Sequence, residues 1–507
     1  MKSALRRLAL LFLVLPLGLS RPAAATTYMM MSDRALADQA AAIADVTVVG
    51  VESAPLVDGP PATDYLVEVN RVLKGDLAGS TIVVRVPGGI NPLGVGLKIW
   101  GAPQFAEGEN ALLFLRPAQD GTYRILHLML GAFHKRVLDG RAVALRDLSE
   151  AHEVSAKSED GIDAIRDFDR FADWVEDRAH GVSNADGYVV GRAKANLGSA
   201  SEKFALLRAD DRNAIRWFRF DRGQSVDFRV NATGQPGLGL EATINAFQAA
   251  LNAWNDDPGT NVQYNYAGTT SAGGGLARSD NVNTILFDDP YRDDPNEAVE
   301  GTFDCSSGGV IAMGGPWFYG STRTFRSTRY HEAAEADIVT NDGTECFFHN
   351  NPRAAEEVFA HELGHTLGLG HSAQRDALMF ANAHDDGRGA RLTDDDRTAI
   401  AQLYGTGAGS GGGGESNLVA PSRLTARSAK SAEVTLNWRD RAAGEASYRV
   451  EIKPRGKPWR EILTLPADAT SATITDLLPR ALYSFRVRAE RGGAFSKYSN
   501  VVSVFTR

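Results

Sequence analysis

The chain has 507 residues, which is more than one hydrophobic core usually serves, so several domains are expected. Its hydrophobic content of 43% and charged content of 23% are those of ordinary folded proteins and exclude disorder throughout. The formal net charge is −9, and removal of residues 1–25, which contain four basic residues and no acid, would make it −13. Such an acidic chain has no electrostatic attraction for nucleic acid or an anionic membrane, so neither is expected as a partner.

Residues 1–25 have the order of a secretory signal peptide. Basic residues precede an apolar run from Leu8 to Leu19, and small residues lead to a cleavage site after Ala25. A retained membrane anchor is the alternative, but the run is short for a bilayer, and no later segment approaches ~20 apolar residues. The sequence therefore predicts no membrane insertion and a location outside the cytoplasm, either secreted and extracellular or periplasmic.

Residues 26–150 predict a β-rich N-terminal domain. Short runs of β-branched and aromatic residues alternate with Gly and Pro, which is typical of a small sandwich or barrel. These runs are Val46–Val51, Tyr65–Val69, Thr81–Val86, Ala111–Leu115 and Tyr123–Leu126. The sequence leaves open whether the domain is a prodomain or an accessory binding domain. Residues 151–208 are charged, with an amphipathic helix expected around Ile162 to Val175, and are interpreted as a connecting segment.

Residues 209–405 change to a mixed α/β pattern. Apolar residues at helical spacing predict a helix from Ala242 to Trp254, and a last helix from Asp394 to Tyr404 has Thr393 as its N-cap. The strands expected in this region are Ile215–Phe220, Val262–Tyr266, Thr284–Phe287, Val310–Met313 and Glu335–Val339.

Cys305 and Cys346 are the two cysteines of the chain. Because the signal peptide directs the chain to an oxidising compartment, they most simply form one disulfide bond. Two separate buried thiols are the alternative.

Residues 406–416 form a glycine-serine linker, and residues 417–507 show the alternation of a second β domain. Pro421 opens this domain, Trp438 lies on an early strand, and Leu478–Tyr483 leads into a later strand. These features resemble a fibronectin type III module, a β-sandwich, with Tyr483 at its tyrosine-corner position.

The run from His361 to His371 reads HELGHTLGLGH and carries the chemistry of a metal site. On a helix, His361 and His365 leave one face a turn apart and can share one metal ion. Neutral imidazole suits zinc, and three protein ligands leave one position open for water, which Glu362 can deprotonate. Gly368 permits the left-handed turn that ends the helix and returns His371 as the third ligand. An amphipathic helix with two surface histidines is the alternative for the first five residues alone.

This run, followed eight residues later by Met379, resembles the metzincin signature with its Met-turn. Ser372 directly after His371 and the run Leu392–Asp396 are similar to the matrixin branch. Over about residues 210–405, the resemblance implies an α+β fold with a mixed sheet and a zinc helix. It also implies that Met379 is an apolar floor beneath the metal, not a ligand.

The resemblance further implies a cleft in which a substrate peptide lies antiparallel to a strand at the upper rim. Val310–Met313 and Glu335–Val339 are the two candidates for that strand, and Phe380–His384 for the S1′ wall. Matrixins are kept latent by a propeptide cysteine, but no cysteine precedes Cys305 here. If residues 26 to about 205 are inhibitory, they must block the cleft with another group.

Only one zinc ion is expected, because residues 321–351 lack the histidine and aspartate pattern of a matrixin's structural zinc site. Three further histidines are expected to be solvated loop residues: His331, His349 and His384. Three acids offer oxygen ligands for calcium, although nothing else in the sequence supports a calcium site: Glu335, Asp337 and Asp342.

The sequence therefore predicts a secreted zinc endopeptidase that cleaves proteins or peptides. The alternative is an adhesion or matrix-binding protein with a vestigial zinc site, against which the intact Glu362 argues. Zinc-dependent hydrolysis of a non-peptide bond has no support beyond the metal. The C-terminal module could bind an extracellular surface or matrix and raise the local substrate concentration.

Overall fold

The computed structural model describes residues 26–506 with internal gaps. The gaps are residues 55–58, 149–150, 155–161, 184–186, 195–203, 210–211, 258, 289–298, 381, 385, 406–418, 431, 443–446, 455–456, 458, 476 and 492–493. The predicted signal peptide and the predicted glycine-serine linker lie outside the described residues. Among the described helices, none is long and apolar enough to cross a membrane.

The N-terminal region is β-rich, as predicted. Its elements are β1 Thr26–Met29, α1 Asp33–Gln39, β2 Ala42–Ser53, β3 Ala62–Lys74, β4 Thr81–Pro87, β5 Gly89–Ile90, β6 Val95–Leu97, β7 Asn110–Pro117, β8 Tyr123–Ile125, β9 Ala132–Leu138, β10 Arg141–Leu145, β11 His152–Val154, β12 Ile162–Asp167, α2 Phe168–Ala179 and β13 Val189–Lys194. Nine strands follow the order β13-β12-β10-β9-β7-β2-β3-β4-β8, and β8 also pairs with β7. That last pairing closes β7, β2, β3, β4 and β8 into a small barrel.

The interpretation of residues 151–208 as a connecting segment is corrected by the structure. β12 pairs with β10 and β13 pairs with β12, so both extend the N-terminal sheet. Helix α2 begins at Phe168, where the Asp167 carboxylate caps it, and not at Ile162. Its buried face packs on the barrel, with the rings of Phe171 and Phe133 5.0 Å apart. Helix α2 belongs to the N-terminal region because its aromatic residues complete the N-terminal core.

The middle region surrounds a second core. Its elements are β14 Phe204–Leu206, β15 Ala214–Arg216, β16 Val226–Asn231, α3 Leu240–Asn255, β17 Tyr264–Thr270, β18 Asn283–Leu286, β19 Gly309–Phe325, β20 Thr328–Thr340, α4 Glu345–Phe348, α5 Pro352–Thr366, β21 Leu369–Ser372, β22 Asn382–Ala383 and α6 Asp394–Tyr404. Strands β16, β17, β18 and β20 pair in parallel, whereas β19 pairs antiparallel with β20. Helices α3 and α5 pack on each other against this sheet.

The strand expected at Ile215–Phe220 is shorter than predicted. It ends at Arg216, and a short 3₁₀ turn occupies Phe220–Arg222. The indole of Trp217 donates to the Thr366 carbonyl oxygen at 2.8 Å, which draws the chain out of the sheet towards the end of α5. A contact with a residue so distant in sequence overrides the local alternation.

The middle sheet also contains strands from the N-terminal region. Its main path is β17-β16-β18-β20-β19-β1-β11-β22, and β6 pairs with β19 further along that strand. The N-terminal core is continuous with side chains of the middle region, among them Val310, Met313 and Trp317. The two regions are therefore packed as one body along β19.

The C-terminal region is a two-sheet sandwich. Its strands are β23 Ser422–Lys430, β24 Glu433–Arg439, β25 Ser447–Pro454, β26 Arg460–Pro466, β27 Ser471–Ile474, β28 Leu482–Arg491, β29 Ala494–Phe495 and β30 Val502–Phe505. One sheet has the order β23-β24-β27, and the other contains β26, β25, β28, β29 and β30. The Tyr483 hydroxyl accepts a hydrogen bond from the Leu478 amide at 3.0 Å, the geometry of a tyrosine corner. Trp438 lies on β24, an early strand, as predicted, and its side chain is part of the buried core.

Candidate metal centre

Helix α5 carries the first two histidines of the candidate site. The Asn351 side chain caps it by accepting from the Ala354 amide at 3.2 Å, and Pro352 occupies the first turn, where its missing N–H costs nothing. The Trp254 indole of α3 donates to the Ala360 carbonyl oxygen at 2.8 Å. This contact fixes the helix one residue before His361.

Helix α5 ends in a turn that brings the chain, and with it His371, back towards the first two histidines. Gly368 has a φ of +90°, and a Cβ at this position would lie 2.2 Å from the Ile215 carbonyl oxygen. Only glycine accepts both this backbone conformation and this approach. The chain then reverses into β21, which places His371 beside the helix.

The three predicted histidines meet at one point. Their ligand atoms all lie within 4.8 Å of one another, and this is the only group of three candidate metal ligands among the residues that the structure describes. The Nδ1 atoms of His361 and His365 face the carbonyl oxygens of Leu378 and Leu369, at 2.8 and 2.9 Å. Because Nδ1–H donates to these oxygens, each Nε2 carries a lone pair directed towards the centre.

The chemistry of these residues fits a divalent metal ion. The His365 Nε2 is buried and has no hydrogen-bond partner in the protein. Burial lowers the pKa of His361 to about 3, and burial together with His361 lowers the pKa of His365 well below its usual value. Neutral imidazoles are the form that binds zinc. The three side chains could therefore hold one such ion with a position left open.

The turn below the histidines is held by a residue that the sequence analysis missed. Met379 is buried, and the Asp396 carboxylate accepts hydrogen bonds from the amides of Leu378 and Met379 at 2.8 and 2.9 Å. Asp396 also accepts from the Thr393 amide at 2.8 Å, so the same carboxylate caps α6 and fixes the turn. An acid three residues after the N-cap was the available signal, but it indicated only helix capping.

Glu362 lies one residue along α5 from His361 and is completely buried. Its Oε1 accepts a hydrogen bond from the Thr27 hydroxyl at 2.5 Å. Burial raises the pKa of Glu362 to about 8, while this hydroxyl and the amides of Gly314 and Thr27 act in the opposite direction. A divalent cation held by the histidines would also lower this pKa, because it favours the carboxylate.

Of the two candidates for the rim strand, β19 borders the site and β20 does not. β20 is paired on both sides, by β18 and β19, so it has no edge beside the centre. At Gly314 of β19, a Cβ would lie 3.1 Å from the Glu362 Oε2, so glycine permits the close approach of strand and helix. Strand β22 lies within the segment Phe380–His384 that was suggested as the S1′ wall.

The other histidines and acids serve the fold. His331 is buried, and its Nδ1 lies 2.9 Å from the Tyr319 carbonyl oxygen, which corrects the expectation of a solvated loop residue. The His384 Nδ1 lies 2.7 Å from the Glu357 carboxylate, so it is not simply solvated either, whereas His349 is exposed. Two of the three acids suggested for calcium accept protein hydrogen bonds: Glu335 from Ser279, Asp280 and Asn281, and Asp337 from Thr284 and Trp317. The third, Asp342, is buried.

Cys305 and Cys346 form a disulfide bond, with their Cα atoms 6.3 Å apart. The bond links the segment before β19 to α4, which directly precedes the metal-site helix. The predicted pairing is present, and it closes a loop that contains both β19 and β20.

Three histidines therefore converge next to the buried Glu362 and Met379, in an arrangement that could hold one metal ion. Residues 219–405 match the family model described as Matrixin, and residues 419–505 match that of the fibronectin type III domain. The chain thus carries a matrixin domain followed by a fibronectin type III domain.

Curated relatives match short stretches of the chain. Matrix metalloproteinase-2 of Drosophila melanogaster is 55% identical over 49 residues, which are 10% of this chain and 6% of that protein. Metalloendoproteinase 5-MMP of Arabidopsis thaliana is 46% identical over 59 residues, 12% of this chain and 16% of that protein. Metalloendoproteinase 1 of Glycine max is 44% identical over 72 residues, 14% and 22% of the two chains. The matched part is therefore less than a quarter of each of these relatives.

Among solved structures, a fibronectin type III domain of human collagen XX is matched over 19% of this chain and 100% of that chain, at 21% identity and a TM-score of 0.17.

Proposed function

We propose that this protein is a secreted zinc-dependent endopeptidase. The observation that carries the proposal is the convergence of His361, His365 and His371 beside the buried carboxylate of Glu362, inside the segment that matches the matrixins. The names of the curated relatives, metalloproteinases and metalloendoproteinases, support the same reaction. The proposed substrates are proteins or extended peptides.

In the proposed mechanism, the three imidazoles would hold zinc through Nε2, and backbone hydrogen bonds keep the rings of His361 and His365 in position. When bound, zinc supplies a Lewis acid that acidifies a water molecule and polarises the scissile carbonyl group. Glu362 accepts the proton of that water and later delivers it to the leaving amine. Met379 fills the space beneath the imidazoles, and Asp396 holds the turn that carries it.

Secretion and an extracellular or periplasmic location are part of the proposal. The signal-like order of residues 1–25 supports them, and the Cys305–Cys346 disulfide is typical of an oxidising compartment. The C-terminal module touches the matrixin domain through Arg441, which donates to the Asp256 carbonyl oxygen, and contains no candidate metal group among its described residues. Its proposed role is therefore binding to a surface or matrix, not chemistry.

The alternative of an adhesion protein with a vestigial zinc site is less well supported. A site without function has no reason to retain three neutral imidazoles, a buried carboxylate and the Asp396-anchored turn together. Glu335 and Asp337 do not support a calcium site, because their carboxylates accept hydrogen bonds from donors of the protein.

The test combines metal analysis with hydrolysis of quenched fluorescent peptides, before and after limited proteolysis. We expect one zinc per chain in the parent and in Glu362→Gln, and loss of zinc in His365→Asn. Glu362→Gln should lower the highest hydrolysis rate by about 10²–10⁴-fold, the usual effect of removing a general base. The matched control is Glu356→Gln on the same helix, whose carboxylate pairs with Arg353 and should leave the rate unchanged.

Equal rates for the parent and Glu362→Gln would contradict the proposed mechanism. Zinc content unaffected by His365→Asn would contradict the proposed ligand set.

A further inference from the structure

The cleft beside the metal centre is filled by two strands from the N-terminal region. β1 pairs antiparallel with β19, with Thr26 opposite Met313 and Met29 opposite Gly309. On its other side β1 pairs parallel with β11, which in turn pairs parallel with β22. The two strands therefore lie between β19, which approaches Glu362 at Gly314, and β22, which lies within the suggested S1′ wall.

Strand β1 contacts the carboxylate of Glu362, which is the general base of the proposed mechanism. Thr26 and Thr27 are completely buried, and the Thr27 hydroxyl and amide both donate to the Glu362 side chain. The hydroxyl thus occupies Oε1, one of the two oxygens of the Glu362 carboxylate. While β1 is in place, Glu362 is engaged by the chain itself and is shielded from solvent.

The rest of the N-terminal region is fastened to the same strand. Strand β6 pairs with β19 beyond the segment that β1 covers. The paired residues are Leu97 with Trp317, Gly96 with Phe318 and Val95 with Tyr319. Buried side chains of β19 belong to the same core as the N-terminal barrel. The edge of β19 is therefore covered at two places by one folded unit.

Where β19 meets the N-terminal region, glycines on both sides allow the two backbones to approach closely, and a larger side chain would not fit at these positions. A Cβ at Gly308 would lie 2.5 Å from the Met30 carbonyl oxygen, and one at Gly315 would lie 2.5 Å from that of Lys98. A Cβ at Gly96 would lie 2.2 Å from the Phe318 ring. Such close approaches at three positions indicate a junction built into the fold and not an incidental contact.

An extended peptide binds a sheet by adding a strand to an exposed edge. The edge of β19 above Glu362 is already taken by β1, so such a peptide can reach Glu362 only after β1 leaves. The strand runs antiparallel to β19, the direction implied for a substrate by the matrixin resemblance. No cysteine occurs between residues 26 and 304, so the blocking group is not a thiol.

We propose that residues 26–194 are an inhibitor domain built into the chain, and that Thr26–Met29 is its substrate-like blocking strand, with Thr27 placed on Glu362. The proposal rests on the proposed peptidase function. The activity of the chain is then controlled by displacement of β1, and the N-terminal barrel acts as the platform that presents it.

The test uses the chain from residue 26 to residue 507, loaded with zinc. Thr27→Val keeps the shape of the side chain and removes the hydroxyl that reaches Glu362. The matched control is Thr26→Val, which is equally buried but whose hydroxyl bonds to the Trp100 carbonyl oxygen inside the N-terminal region. A second variant, Gly96→Val, weakens the β6 contact with Phe318 far from Glu362.

Two quantities are measured: the initial rate of peptide hydrolysis, and the hydrogen–deuterium exchange of amides 309–313 in β19. A hydrogen bond to a carboxylate contributes enough that its loss should open the cleft about tenfold or more often. We therefore expect Thr27→Val to raise the rate and speed the exchange about tenfold, and Gly96→Val to raise both. Thr26→Val should stay within about twofold of the parent.

A parent chain as active as Thr27→Val, or an equal rise in Thr26→Val, would overturn the inhibitory role. If no variant cleaves any peptide but exchange at β19 still responds to Thr27→Val and not to Thr26→Val, the peptidase function falls and the covering of the cleft by β1 stands. If exchange at β19 does not respond, the proposed blocking strand is wrong whatever the rates.

Discussion

A single methyl group added to the metal-site helix should destabilise the protein. Gly364 lies between His361 and His365 in α5, where local propensity favours alanine by about 1 kcal/mol. The structure predicts the opposite result for Gly364→Ala. A Cβ there would lie 2.3 Å from the Met379 sulfur and 2.7 Å from the Trp254 ring, and both side chains are buried.

The magnitude follows from these two opposing effects. Overpacking of a core costs about 1–3 kcal/mol, and the two close contacts place Gly364→Ala in the upper part of that range. Subtracting the helical gain leaves a net destabilisation of about 1–2 kcal/mol. For a region of this size, about 2–4 °C per kcal/mol gives a fall in Tm of about 2–8 °C.

The assay is calorimetric unfolding of the zinc-loaded chain, and the matched control is Gly259→Ala. Gly259 is exposed, and a Cβ there would meet only the Asp257 carboxylate at 3.6 Å, so the control should leave Tm unchanged or slightly higher. On a Met379→Ala background, Gly364→Ala should cost less, because the closer of the two contacts is removed while the contact with Trp254 remains. A rise in Tm for Gly364→Ala, or additive effects in the double variant, would refute this packing argument.

Two further predictions concern stability. Burial alone would raise the pKa of Glu109. Hydrogen bonds from His134, the Ala106 amide and Arg136 outweigh burial and lower this pKa from 4.5 to about 2. The ionised Glu109 therefore stabilises the folded protein fully above about pH 4.5, and this stabilisation is lost as the pH falls towards 2. Glu109→Gln should lower the free energy of unfolding, measured in urea, by about 1–2 kcal/mol at pH 7 and by less at pH 3. A loss of stability that does not depend on pH would contradict this. The Cys305–Cys346 bond spans 41 residues, so replacing both cysteines by alanine should lower the free energy of unfolding by about 2–4 kcal/mol, and an unchanged urea midpoint would contradict this.

The sequence was most informative where the signal is local. The helix Asp394–Tyr404 was predicted with the bounds that the structure has, because Thr393 and the acids after it form a strong start signal. The meeting of His361, His365 and His371 was also predictable, since two are fixed by the helical period and the third follows a glycine turn. The tyrosine corner at Tyr483 belongs to the same kind of short-range pattern.

Predictions failed where a distant contact decided the local structure. Residues 162–194 appear as a charged connection in the sequence, but Phe171 completes a core with Phe133 and the segment becomes part of the N-terminal sheet. The expected strand at Ile215–Phe220 stops early because Trp217 bonds to the end of α5.

By itself, the sequence predicted the cluster of three histidines beside Glu362 and the C-terminal sandwich, because each is signalled by residues a few positions apart in the chain. Only the tertiary structure decided that Asp396 holds the turn beneath the histidines and that Thr27 lies on Glu362. Thr27 and Glu362 are separated by 335 residues in the sequence. Contacts of this kind leave no period or motif in the sequence, because they arise from the packing of complete domains and not from the conformation of a single segment.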